Sequence, residues 1–159
     1  MNSQGIYNVV EVVYLWLHTA GFQFGDKSKL PLALSLVDEE VQEMKDAVAN
    51  KDVEELCDSL GDIFFVCLNT MYFYGVKMED VGKKFEQIVQ SNYSKFCQTR
   101  EEAMLSAEAY IKGQHPTKLN QEIPAKYEST GNKDYPFVIK HAVSGKLLKA
   151  LSYKSPEEF

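Results

Sequence analysis

Apolar positions recur with a helical period along most of this 159-residue chain. In "GIYNVVEVVYLWLHTA", Val9, Val12, Val13, Leu15, Trp16 and Leu17 predict an amphipathic helix over residues 5–20, closed by Gly21. "GFQFGDKSKLP" reads as a loop punctuated by Gly25 and Pro31. Leu34, Leu36, Val37, Val41, Met44 and Val48 predict a second helix over 32–50. Asp52 is placed to cap a third helix over 53–74, which Gly75 ends. A fourth helix over 78–91 turns Val81, Phe85, Ile88 and Val89 inward, and Thr99 with Glu102 forms a capping-box-like start for a short fifth helix ending at Gly113.

Beyond Gly113 the pattern changes. "QHPTKLNQEIPAKYESTGNKDYP" is polar and holds three of the five prolines, so it reads as an extended, partly mobile segment. "FVIKHAVSGKLLKALSY" then predicts a β-hairpin turning at Ser144–Gly145. The expected architecture is all-α: a four-to-five-helix bundle over 1–112, with residues 113–159 forming an extended segment and a C-terminal β-hairpin packed on the bundle or on a partner subunit.

The third helix combines two opposed characters. "EELCDSLGDIFFVCL" begins with Glu54, Glu55, Asp58 and Asp62 and continues from Ile63 to Leu68 without a polar side chain. Glu55, Asp58 and Asp62, at i, i+3 and i+7, share a stripe about 60° wide. One turn further on that stripe reaches Phe65, Val66 and Asn69, in a stretch expected to be buried all round. The second helix offers Asp38, Glu39, Glu40 and Glu43. Glu43 lies about 40° from Glu39 and about 60° from Glu40, so it can share a site with either. An acidic run on one helix is usually a solvated face. Here the short link "NKD" makes the two helices neighbours, so the acidic stripes oppose each other.

Inward-facing carboxylates need protonation, a basic partner or a cation. Lys45 and Lys51 are too few for five or six acids. All-oxygen ligation with no histidine nearby favours Mg²⁺, with Mn²⁺ as the alternative, over zinc.

Composition narrows the partners. A net charge of −6 argues against a nucleic-acid backbone or an anionic membrane. Three cysteines without a CxxC suggest neither a disulfide framework nor a zinc knuckle, and Cys57 and Cys67 are expected to be buried as small hydrophobes. No signal peptide is recognised and the longest apolar run is too short to span a bilayer, so a reducing cytoplasm is expected.

"EEVQE" (Glu39–Glu43) followed by "ELCD" (Glu55–Asp58) resembles the EExxE…ExxD pattern of the MazG-like all-α nucleoside triphosphate pyrophosphohydrolases. "DSLGDIFFV" is similar to that superfamily's apolar run, and "VQSNYSKF" to the SNxSK segment of its phage and bacterial branch. The resemblance covers roughly residues 8–112; the hairpin tail resembles that branch more weakly. It implies Mg²⁺ ligands at Glu39 or Glu40, Glu43, Glu55 and Asp58. The remaining glutamate would orient or deprotonate water, and Asp62 would support the ligands or be a further one. Asn92 and Lys95 would contact nucleotide or phosphate. Ser59 stands where many relatives carry glutamate, which bears on whether Asp58 or Asp62 is the primary aspartate; Asp58 is favoured.

Lys83 and Lys84, more often solvated surface, are also placed to neutralise pyrophosphate. Trp16 and His18, near Phe22 and Phe24, are candidates for stacking on a base, although helix-end packing is the commoner use of such residues. The expected activity is Mg²⁺-dependent hydrolysis of a nucleoside triphosphate, with dGTP or dCTP in front, to a monophosphate and pyrophosphate. The expected assembly is a homodimer or homotetramer. The alternatives are a non-catalytic nucleotide-binding or scaffold protein and a phosphoribosyl-ATP pyrophosphohydrolase-like activity.

Overall fold

The computed structural model describes residues 3–159. Its helices are α1 (Ser3–Thr19), α2 (Leu30–Asn50), α3 (Val53–Tyr74), α4 (Met78–Tyr93) and α5 (Arg100–Ile111). Its strands are β1 (Phe96–Cys97), β2 (Ala125–Ser129) and β3 (Phe137–His141), joined antiparallel in the order β1-β3-β2. The fold is therefore helical with a C-terminal β-hairpin, as the periodicity predicts. The chain divides into two compact units, Met1–Lys83 and Lys84–Phe159. The division falls within α4, whereas the composition changes at Gly113.

The first unit is organised by the α2–α3 hairpin. Pro31 starts α2, where its missing N–H is no loss. Lys51 takes the left-handed conformation at φ 59°, and the Asp52 N–H closes back on Ala47 O at 2.9 Å. The Asp52 side chain then accepts from Glu55 N at 3.1 Å, satisfying one of the free N–H groups of α3. Gly75 ends α3 at φ 90°, as expected of a C-terminal glycine. A Cβ there would come within 3.4 Å of Gly25 Cα, so the loop after α1 packs directly on this turn.

Val10, Val13, Tyr14 and Leu17 of α1, Ala33 of α2 and Leu68, Tyr72 and Phe73 of α3 form the core, with Val81 of α4. Two phenols are tied to backbone: Tyr14 OH donates to Val76 O at 2.9 Å and Tyr72 OH to Phe22 O at 3.0 Å. Burial raises the Tyr14 hydroxyl to about 12.

The apolar half of α3 is not buried on every side. Val66 and Leu68 are buried, but Phe64 is 42% exposed and lies in line with exposed Val53, Leu60 and Met71. Cys57 is exposed on the same line and Cys67 half-buried, so the expectation that both would be buried does not hold. The reason is geometric: a helix flanked by α1 and α2 has two covered faces, and the apolar residues continue onto a third. On α4, Val81 is buried but Ile88 is 43% exposed.

In the second unit, Cys97, Ala103, Ala107, Tyr110, Ile139 and Ala150 share one core. Thr99 caps α5 by accepting from Glu102 N at 3.1 Å, as predicted. The long arm of the β-hairpin is earlier than predicted: β2 pairs with β3 from Ala125–His141 to Ser129–Phe137, and the polar segment supplies β2. The predicted turn at Ser144–Gly145 exists, with Gly145 at φ 71°, but is followed only by a single bridge, Lys140 to Leu147.

Candidate functional site

Glu40 is the focus of the first unit. Ala33 and Ala47, each seven residues away on α2, are buried at 0% and 2% exposure. Seven residues is nearly two helical turns, so all three side chains point to one side. The Glu40 residue is half-buried, and its Oε2 is buried with no hydrogen-bond partner. Its carboxyl is held above the usual carboxylate range, first by loss of hydration and then by the charges of Glu43, Asp62 and Glu39.

The α2–α3 hairpin sets acids of two helices within electrostatic reach of one another. Asp62 of α3 acts on Glu40; Asp58 is not among the groups that do. Glu39, Glu43, Glu55, Asp58 and Asp62 are exposed, so the stripe does not face inward as a row; only Glu40 carries a buried oxygen. Ionised carboxylates without a counter-ion lose less free energy by keeping their hydration. Ser59, where relatives carry glutamate, is fully buried and donates to Leu56 O at 3.2 Å.

The donor chemistry fits a hard divalent cation: several carboxylates, no nearby base paired with them, and one orphaned buried oxygen. The side chains are not gathered, however. Among the described residues no three or more His, Cys, Asp or Glu converge closely enough to hold a metal ion.

The other expected residues fall in two places. Trp16 is 53% exposed and meets Phe65 edge-on, at 5.2 Å between centroids and 77° between planes. His18 is exposed near the end of α1. Asn92, Lys95 and Lys84 belong to the second unit. Lys95 donates to the Asn92 amide oxygen, whose amide nitrogen donates to Ile88 O at 2.9 Å. Lys84 pairs with Glu157 at 3.0 Å, with both side chains exposed.

The serines of the SNxSK segment hold the C-terminal chain. Ser91 donates to Lys154 O at 2.9 Å and lies 3.1 Å from Tyr153 OH, and Ser94 accepts from Lys154 N at 3.1 Å. Sequence reasoning did not find this clamp, because serines give no signal of a partner some 60 residues away. It also passed over Asn69, which is buried with its amide oxygen unpartnered.

Residues 23–88 match the phosphoribosyl-ATP pyrophosphohydrolase family. Among curated proteins, "Uncharacterized protein L479" of Acanthamoeba polyphaga mimivirus is 35% identical over 65 residues, 41% of this chain and 26% of that protein. The matched part of the chain thus spans about a quarter of this relative's length. No solved structure matches. The matched family is part of the MazG-like all-α nucleoside triphosphate pyrophosphohydrolase superfamily, and the match runs from the loop after α1 into α4.

Proposed function

We propose that the protein is a pyrophosphohydrolase acting on a nucleoside triphosphate in the presence of Mg²⁺ or Mn²⁺. The observation that carries this reading is the buried, partnerless Glu40 Oε2 beside Glu43, Asp62 and Glu39. An acidic pocket by itself repels a triphosphate. Glu43, Asp62 and Glu39, with Glu55 and Asp58 as further donors, would hold a divalent cation, which would supply the charge to bind phosphate oxygens and lower the pKa of water.

Glu40 is the proton acceptor in this reading. Its carboxyl is raised above the usual carboxylate range, which favours general-base work, and Oε2 has no hydrogen-bond donor among the described residues. Water attacks the α-phosphorus and gives its proton to Glu40. The bond from that phosphorus to the bridging oxygen breaks, and pyrophosphate leaves. Asp62, rather than Asp58, is the primary aspartate in this proposal, because it acts on Glu40. Participation of Asn92, Lys95 and Lys84 in phosphate binding rests on the resemblance alone. The same holds for dGTP or dCTP as substrate and for a phage-like role in nucleotide-pool control in a reducing cytoplasm.

A homodimer or homotetramer is part of the proposal. The exposed line of Val53, Leu60, Phe64 and Met71 on α3 supports it, since a contiguous apolar face is usually covered. Light scattering checks the assembly. The activity is checked by pyrophosphate release from a panel of ribo- and deoxynucleoside triphosphates with Mg²⁺. Release that ceases in Glu40→Gln and Asp62→Asn supports the proposal; unaltered release in both variants contradicts it.

A further inference from the structure

Asn69 stands on α3 seven residues beyond Asp62 and about 20° from it around the helix. It is 7% exposed, and its Oδ1 is buried without a hydrogen-bond partner. Native proteins rarely leave a buried amide oxygen without a donor, because the lost hydration is not recovered. Glu40 Oε2 is the other buried carboxyl or amide oxygen without a partner among the described residues. Both belong to the α2–α3 hairpin, and both are acceptors.

The residues between Asp62 and Asn69 give the second acceptor a context. Phe65 lies one turn before Asn69 and packs edge-on against Trp16, whose ring is half-exposed on α1. Along α3 from its N-terminal end, exposed carboxylates are followed by a half-exposed aromatic pair and then by the buried Asn69 amide oxygen. A nucleotide has matching chemistry in the same order: phosphates, a sugar, and a flat base whose edge carries N–H donors. The rise from Asp62 to Asn69 is about 10 Å along the helix axis, the scale of one nucleoside.

We infer that Asn69 Oδ1 accepts a hydrogen bond from a ring N–H or amino group on the base edge of the substrate, and so sets base preference. The inference rests on the nucleotide reading of the acidic site. It assigns Asn69 a role in specificity, separate from the reacting phosphates. A site built to pair a polar group discriminates strongly against a ligand lacking that group, because the protein's own acceptor is then left unpaired.

The test compares wild type with Asn69→Leu, which keeps the side-chain volume and removes the acceptor. The probes are the natural nucleoside triphosphates and 2-deoxyribose 5-triphosphate, which lacks a base. The expected result is a KM for the preferred nucleotide about 10-fold or more higher. Turnover at saturation stays close to wild type, and the base-less probe is handled alike by both proteins. Asn69→Asp, which keeps an acceptor, retains the base preference, and Asn69→Ala substitutes for the leucine variant if that one fails to fold. Calorimetric binding of the corresponding nucleosides, which carry no phosphate, gives a readout that does not need hydrolysis, and the same loss is expected there.

An unchanged order of bases in the variant overturns the inference, as does an equal loss on the base-less probe. A wild type that hydrolyses nucleotides with either outcome fails this inference alone. A wild type that neither hydrolyses nor binds any nucleotide fails the parent reading as well.

Discussion

The two units treat charge in opposite ways. Residues 1–83 hold fourteen acids against six lysines, and residues 84–159 hold nine acids against eleven bases. All four ion pairs among the described residues lie in the second unit: Lys84–Glu157, Lys112–Glu108, Lys126–Glu128 and Lys140–Glu128. There, Lys126 and Lys140 bring the Glu128 carboxyl down to about 2. In the first unit, by contrast, like charges and burial raise Glu40. The second unit uses its charges on itself. The first leaves them available, which destabilises a fold unless a ligand compensates.

The largest expected effect separates function from stability within the first unit. Glu40→Gln should lower kcat/KM for nucleotide hydrolysis by about 10²–10⁴-fold, the usual contribution of a general base. The same change should raise the Tm of the metal-free protein, because it removes one of several crowded charges. Steady-state kinetics and thermal unfolding on one sample check both halves. A fall in both activity and Tm would mean that Glu40 supports the hairpin rather than serving a ligand.

Next in size is the core of the second unit. Ile139 is fully buried among Cys97, Ala103 and Tyr110. Ile139→Ala should cost about 2–5 kcal/mol in urea unfolding, through lost burial and the cavity left behind. The comparison predicts no gain in stability from any similar truncation there, since no charge is relieved.

A pH effect should also come from the second unit. His115 is 1% exposed, stacks on Tyr110 at 3.9 Å and 6°, and is held by burial below its ordinary value of 6.5. Backbone carbonyls at Lys149 and Ala150 favour the proton and the Lys149 charge opposes it, but none gives Nε2 a hydrogen bond. The unfolded chain therefore takes up a proton that the folded chain resists. This stability is fully present above about pH 6.5 and is lost as the pH falls from there through the depressed value. Denaturation midpoints measured across that window should flatten in His115→Phe. An unchanged slope would show that His115 does not carry it.

The smallest effect concerns the ion pairs. Glu128→Gln should change Tm slightly, and by less as salt is added, because exposed pairs are screened. Melting curves at low and high salt are enough to check it.

Much of the fold was legible in the sequence because local chemistry sets its boundaries. Asp52 and Gly75 gave α3 its ends, and Thr99 the start of α5. The packing of α2 on α3 followed from the short link between them. Three things were not legible. β2 lies in a polar segment whose only β signal is its pairing with β3. The exposed line through Phe64 cannot be told from core by composition, since period alone does not say how many faces are covered. Asn69 lies on the predicted stripe, but whether a buried amide finds a donor depends on its neighbours in space.

The central claim is that the unpaired acids of α2 and α3 serve a divalent cation. A crystal grown with Mn²⁺ and diffracted at the manganese absorption edge tests it most directly. The account predicts an anomalous peak bounded by carboxylate oxygens of Glu39 or Glu43 and of Asp62, lost in Glu43→Gln, Asp62→Asn protein. Bound Mn²⁺ elsewhere in the molecule, with none between these helices, would contradict it.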